Sequence, residues 1–398
     1  MVATARPGLS GTEIRVVVAL AAIYMTRMLG LFLLLPVLAI YASELPGGTP
    51  ARIGLAMGAY GLTNALLQIP FGRWSDRYGR RPIIFAGLGI FCLGSVVGAF
   101  AHTLPMLILA RAIQGAGAMS AAVSALVADH TRDEVRTRAM AVIGISIGSS
   151  FIISLVLGPV LEAAIGVTGI FWLMAALALG GIALLSIAVP NTEAVVHPAS
   201  RRASLWSIST LPALRPYFAG VFALHFVLTA TFLSVPLVLL HDLGMGEATH
   251  WKVYLGVFLF SLTGTVPLIL GVERSSRPNA VFVGAILIAA LAQATLALDH
   301  GVLMPVLAAF TVFFAAFNFL EARLPAQLSK AAPQVERGGA LGVFATCQFL
   351  GSAFGGAIGG QLQQHWGVSG VFWGSAIVAT AWAVIASRSG VHPSAIRT

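Results

Sequence analysis

The feature that most constrains this chain of 398 residues is a succession of apolar stretches, each about as long as a bilayer is thick. A hydrocarbon core of about 30 Å takes roughly 20 apolar residues in a helix, and a few more when the helix tilts. With glycine, proline and charge clusters as punctuation, six stretches run over 14–42, 52–72, 82–101, 104–128, 137–162 and 168–189. Six more run over 214–241, 250–271, 279–298, 302–328, 338–362 and 368–387. Within hydrocarbon every backbone amide needs a partner inside the protein, which leaves helices or a closed barrel. Barrel strands would alternate polar and apolar residues over about 10 positions, whereas these stretches are continuously apolar. The pattern predicts an all-α membrane protein. Charged residues make up 9% and hydrophobic residues 58% of the chain, against about 25% charged in soluble domains. That balance excludes a soluble enzyme, a disordered chain and a secreted module.

The basic residues set the orientation. Eighteen of the 23 Lys and Arg fall in the terminal segments and every second connection, from Arg6 and Arg15 through Arg73, Arg77, Arg80 and Arg81 to Arg388 and Arg397. Only Arg52 and Lys252 fall on the other side, and Arg27, Arg111 and Arg323 lie within helices. Both termini are therefore expected in the cytoplasm, which requires an even number of spans. The net charge of +9 would also suit nucleic acid. Here the basic groups sit between apolar stretches, so a lipid bilayer and no nucleic acid is expected. Cys92 and Cys347 lie in apolar stretches and read as small buried hydrophobes, without disulfide or metal spacing. Met25 and Met28 lack the spacing of a copper carrier, so no metal site is expected. The N-terminus has no short apolar region before a small-residue cleavage site, so no removable signal is expected.

A polar, Pro- and Ser-containing stretch near 190–213 divides the spans six and six. The expected organisation is an N-terminal six-helix bundle over 1–190, a cytoplasmic linker over 191–213 and a C-terminal bundle over 214–398. Pro82 and Pro278 lie 196 residues apart, and Gly158 and Gly355 lie 197 apart. This weak repeat suits two halves related by an axis along the membrane normal.

The loop between the second and third stretches runs Gly72, Asp76, Arg77, Gly79, Arg80, Arg81, Pro82. It resembles the GxxxDRxGRR signature of the major facilitator superfamily. Gly72 would allow close packing, Gly79 a turn, and Pro82 a first helical turn. Asp76 would face the start of the eleventh helix, where a carboxylate is stabilised by exposed amides, and Asp129 would pair with Arg80. The resemblance implies that these charges latch the two halves on the cytoplasmic side. In the fourth stretch Arg111, Gln114, Gly115 and Gly117 are similar to the RxxQGxG motif of proton-driven members. In the fifth, Gly144, Gly148, Gly158 and Pro159 match part of the antiporter motif, but Leu161 and Glu162 depart from its GPxxGG ending. Gly351, Gly355, Gly356, Gly359 and Gly360 form a small-residue stripe for close helix packing. Thr131 and Glu134 fit a capping box for a short helix before the fifth span. Finer stretches resemble the YajR-type drug:proton antiporters: Arg27–Gly30 with Leu35–Leu38, His250–Tyr254, Phe317–Asn318 through Glu321 to Leu324–Pro325, and Gln348–Gly351. The chain ends about ten residues after its last stretch, so the C-terminal soluble domain of that subgroup is not expected.

A proton-coupled carrier needs a titratable group in its cavity. Glu321 is the only carboxylate well inside an apolar stretch. Burial favours its neutral form and a nearby cation its charged form. Arg323 points to another face, so Arg27 and Arg111 are the expected partners across the cavity. His225 is a second candidate, since a free histidine changes charge near neutral pH, although a lone His in an apolar helix also serves as a packing residue. Asn64, Gln68, Gln114, Gln293, Asn318 and Gln348 would face the cavity or a neighbouring helix. Together these features point to a proton-coupled secondary transporter of the inner membrane, acting as a monomer by alternating access. It would export a drug or metabolite, a small amphipathic or lipophilic molecule, in exchange for protons. The proton gradient would supply the energy, with no cofactor. Uptake of a small metabolite and a non-transporting receptor or scaffold are the alternatives. No GxxxxGK[ST] loop suggests an ATP-driven pump, and no Ser/His/Asp spacing suggests an enzyme.

Overall fold

The computed structural model describes residues 8–190, 205–334 and 336–388, and all regular structure among them is helical. Eight spans are read directly or nearly so, and four more are the arms of two long helices. They are α1 (Gly11–Phe32), α2 (Pro50–Tyr78), α3 (Arg80–Ala99) and α4 (Leu104–Ala116, resuming as Ser120–Asp129). Two arms of Asp133–Ala188, over 133–165 and 167–188, form α5 and α6. The second half has α7 (Arg215–Leu237), α8 (His250–Arg274), α9 (Pro278–Leu298) and α10 (Leu303–Ala331). Two arms of Arg337–Arg388, over 337–366 and 368–388, form α11 and α12. Both paired helices break at a left-handed glycine, Gly166 (φ 67°) and Gly367 (φ 66°). A side chain resists that conformation, so these two positions set where the chain turns. They lie 201 residues apart, a repeat that the proline and glycine pairs only hinted at.

The fold is an all-α, twelve-helix membrane architecture. Within the first half, α1 packs on the α5–α6 helix and α4 on α2 and α3; within the second, α7 and α9 pack on the α11–α12 helix. The most apolar part of α7 is 94% buried and that of α8 only 22%, so α7 is an inner helix and α8 faces lipid. Outward-facing side chains such as Leu259, Phe260, Leu291 and Ile377 are exposed and apolar, as a bilayer requires. Residues 191–204, most of the expected linker, lie outside the described residues; Leu205–Ser209 is a short helix just before α7.

Two stripes of small residues hold α11. Cβ atoms added at Gly351 and Gly355 would strike the Phe222 and Phe226 carbonyls of α7, within the same half. On another face, Gly356 and Gly360 meet the backbone of Gly54 and Gly58 and of Pro50 on α2, which belongs to the other half. Gly54, Gly58 and Gly61 complete that second interface; their GxxxGxxG spacing is visible in the sequence. This seam lies toward the end opposite the arginine-rich loops, and the Ala51 amide there donates to Gln364 Oε1 at 3.3 Å. Toward the arginine-rich end the packing loosens. Nothing lies within 4 Å of a Cβ placed at Gly144, Gly148, Gly338 or Gly342.

Several local expectations change. Gly148 makes no close packing contact in this state, and Gly72 leaves room for a Cβ, which would meet only Ala121 Cβ at 3.6 Å. The helix from Asp133 has no side-chain cap, and Thr131 Oγ1 donates back to Val127 O at 2.8 Å. The capping box belongs instead to Ser10 and Glu13, which opens α1. Glu13 also accepts from Arg132 Nη2 at 2.9 Å, tying the start of α1 to that of α5. An Asp–His–Ser chain that no sequence spacing revealed joins three elements. His300, between α9 and α10, contacts Asp242 Oδ2 at 2.8 Å and Ser369 Oγ at 3.1 Å. It clasps the end of α7 to the start of α12.

Candidate functional site: a cavity between the two halves

A cavity of about 700 Å³, counting its mouth, lies at mid-bundle where α1, α2, α4 and α5 meet α7 and α11. Its wall is mostly apolar, with Met28, Leu31, Phe32, Met57 and Leu228 among the lining residues. Polar groups enter from both halves: Arg111 and Tyr60 from the first, His225, Thr229, Gln348 and Ser352 from the second.

Arg111 is 2% exposed; its Nη1 donates to Gln114 Oε1 at 2.8 Å, and its guanidinium stands 4.9 Å from the Tyr60 ring centre. The Arg111–Gln114 spacing of three places both on one helix face. Gln114 in turn donates to Ser95 Oγ at 2.9 Å, so it anchors α4 to α3 and does not line the cavity. Arg27 is 1% exposed and sits behind the wall. Its Nη1 donates to Ser120 Oγ at 2.7 Å, and its guanidinium lies 5.9 Å from the Tyr60 ring and 5.8 Å from that of Phe349. The irregular turn that interrupts α4 at Gly117–Met119 brings Ser120 to Arg27.

Glu321 does not pair with either arginine as expected. Its partner is His225, with Nε2 and Oε2 3.8 Å apart, and its own side chain is 39% exposed. His225 Nδ1 lies 3.1 Å from Val221 O. A carbonyl only accepts, so Nδ1 carries a hydrogen. In the neutral ring Nε2 is then a lone pair, and it receives the Gln348 amide at 2.7 Å. Glu321 (α10), His225 (α7) and Gln348 (α11) thus converge from three helices. Asn318 leaves the group: it donates to Ser261 Oγ at 3.1 Å and fastens α10 to α8. The sequence reading missed Tyr60 and Ser120, and gave Phe349 only within the Gln348–Gly351 stretch. Tyr60 is the one aromatic set within the Gly54–Gly61 small-residue run, which was its available signal.

At the arginine-rich end, Gly79 has φ 98° and turns the chain from α2 into α3. Arg80 Nη1 bridges to Asp76 and donates to Ser75 Oγ at 2.9 Å, while its Nε reaches Asp129 Oδ2 at 3.4 Å. The expected Arg80–Asp129 pair is present. Arg81 donates to Leu185 O at 3.3 Å, and Arg77 lies over the Tyr78 ring. At the start of α11, nothing lies within 4 Å of a Cβ placed at Gly338.

The sequence pattern of the Major Facilitator Superfamily matches residues 20–322 and 272–394. The chain belongs to the major facilitator superfamily. Superfamily members are membrane transporters and not enzymes, so this is a multi-pass membrane transporter. It is 40% identical to the inner membrane transport protein YajR of Escherichia coli (strain K12), over 96% of this chain and 84% of the relative. It is 32% identical to an uncharacterized transporter of Buchnera aphidicola subsp. Acyrthosiphon pisum, over 86% and 89% of the two chains. A 146-residue part is 32% identical to the class E tetracycline resistance protein of Escherichia coli, covering 36% of each chain. Among solved structures, a bacterial homologue of the human lysosomal transporter Spinster, inward-facing and occupied, superposes with a TM-score of 0.75. It shares 14% identity, with 98% of this chain and 100% of that chain covered.

Proposed function

We propose that this superfamily member is a proton-coupled secondary transporter that exports a small amphipathic or lipophilic molecule in exchange for protons by alternating access. It does so as a monomer in the inner membrane, with both termini cytoplasmic and two bundles, 1–190 and 214–398, joined by a linker over 191–213. The observation that carries this reading is the mid-bundle cavity, which bears polar groups from both halves. It is sealed at one end by glycine-on-glycine packing, while the glycines at the other end are unpacked. Similarity to YajR and to a tetracycline resistance protein supports export.

The proton resides on the His225–Glu321 pair. In neutral His225 the only free ring position is the Nε2 lone pair that holds the Gln348 amide. A proton arriving there turns an acceptor into a donor. The Gln348 N–H must give way, and the imidazolium turns toward the Glu321 carboxylate 3.8 Å off. Gln348 belongs to α11, the helix whose glycines seal the opposite half. Protonation is thereby converted into a changed bond on the helix that closes one end. Asp76, Arg80 and Asp129 are the latch for the arginine-rich end when that end closes.

The test is proton flux in proteoliposomes with an imposed pH gradient and a trapped pH dye. Adding substrate should accelerate collapse of the gradient for the native protein. Glu321→Gln should abolish the acceleration, and His225→Gln should reduce it at least tenfold, with both variants folded in the membrane. Unaltered proton flux in both variants removes the mechanism.

A further inference from the structure

Two buried arginines stand at the cavity, Arg111 in its lining and Arg27 behind its wall. Arg111 and Arg27 are 2% and 1% exposed, and no described carboxylate lies within 4.0 Å of either. Arg111 Nε, Arg27 Nε and Nη2, and the Tyr60 hydroxyl are all buried without a hydrogen-bond partner. These groups are neighbours, because both guanidinium groups stand over the Tyr60 ring. The buried acceptors on the next turns of α2, Asn64 Oδ1 and Gln68 Oε1, do not reach them. Buried donors are almost always satisfied, and an arginine in hydrocarbon faces a partner or a pathway. The ring faces offset part of that cost but accept an N–H only weakly. The carboxylate that could have served, Glu321, is taken by His225.

We infer that the substrate brings the missing acceptor: the cavity selects amphipathic organic anions, binding their acidic group at Arg111 and Tyr60 and their apolar body along Met28, Leu31, Phe32 and Leu228. Arginine suits a carboxylate or sulfonate because its fork of donors matches two oxygens at once. A cationic amphiphile of the same shape would meet the Arg111 guanidinium, with that of Arg27 close behind it, and no carboxylate paired with either. This inference rests on the transporter reading above, and names the substrate class of that cavity.

The experiment uses three probes with one apolar body: naphthalene-2-carboxylate, naphthalene-2-carboxamide and 2-naphthylmethylammonium. Binding to the purified full chain in detergent is measured by calorimetry at fixed pH and salt. The carboxylate should bind at least tenfold more tightly than the amide or the ammonium. Arg111→Gln should erase that preference, while Arg111→Lys, which keeps the charge without the fork, should retain part of it. The inference is overturned if the amide or ammonium binds as well as the carboxylate, if the carboxylate shows no saturable binding, or if its preference survives in Arg111→Gln. The native protein alone answers the question should Arg111→Gln not fold. A transport arm in proteoliposomes separates the two claims. Gradient-driven movement of the ammonium or amide but not the carboxylate keeps the transporter and removes the anion site. Tight carboxylate binding without movement under either gradient keeps the anion site and removes the transporter.

Discussion

Replacing Gly356 with alanine should push the protein out of the state seen here. A Cβ at this position would stand 2.6 Å from Gly54 O, 2.7 Å from Gly58 N and 3.0 Å from Gly58 Cα. All three are backbone atoms, so no side-chain rotation relieves the clash. Restoring a carbon–oxygen contact of about 3.3 Å requires α2 and α11 to separate by about 0.7 Å. Forcing an extra methyl into a packed seam costs about 1–3 kcal/mol. Alanine's better helix propensity, about 0.5–1 kcal/mol, applies in both states and cancels. In the alternate state that the proposed alternating access requires, this end opens and the seam is broken, so the clash should destabilise only the conformation described here. A differential of 1–3 kcal/mol corresponds to a shift of roughly 5- to 150-fold in the ratio of the two states. The assay is a spin-label distance between Thr103 in the first half and His365 in the second, each replaced by a labelled cysteine after Cys92 and Cys347 are changed to serine. The longer-distance population should grow at least fivefold relative to the shorter. Gly342→Ala is the control, because nothing lies within 4 Å of a Cβ there. The reasoning fails if the Gly356→Ala distribution matches that of the unsubstituted protein, or if Gly342→Ala moves it as far.

Two further substitutions probe the frame of the site. Ser120→Ala takes away the Arg27 Nη1 hydrogen bond and leaves a buried cation with one partner fewer, which should cost about 1.5–3 kcal/mol; an unchanged melting temperature in detergent would refute this. His300→Ala undoes both the Asp242 and the Ser369 bonds and should cost about 1–2 kcal/mol, less than a fully buried pair because the ring and the carboxylate are partly exposed. Transport should persist in that variant at reduced thermal stability, and loss of transport without loss of stability would give the clasp a role beyond fastening α7 to α12.

Span number and helix type were legible because hydrocarbon enforces them over whole stretches of sequence. Boundaries were less so wherever a break leaves no charge behind. The first stretch was read as 14–42, yet α1 ends at Phe32 and a separate short helix, Leu38–Glu44, follows across the segment holding Pro36. The fourth was read as one run, although Gly117 interrupts it. Span α2 extends six residues past its expected end, to Tyr78, because the charged signature loop is itself largely helical. Arg80 with Asp129 was readable from a local signature. Glu321 with His225 was not, because their approach depends on how α7, α10 and α11 pack, and sequence separation carries no trace of that. The same holds for Arg27, whose partner Ser120 lies 93 residues away and is presented by a break in α4.

The proposed transport cycle requires the central cavity to be reachable from each side of the membrane in turn. Ser352 lines that cavity, and Ser352→Cys in a chain whose Cys92 and Cys347 are serine reports its exposure to an impermeant maleimide. Labelling is measured in right-side-out and in everted vesicles, with and without an imposed pH gradient. Alternating access predicts labelling from the arginine-rich side at rest and a rise in labelling from the opposite side, at the expense of the first, when the gradient is applied. Labelling confined to one side under every condition would contradict it.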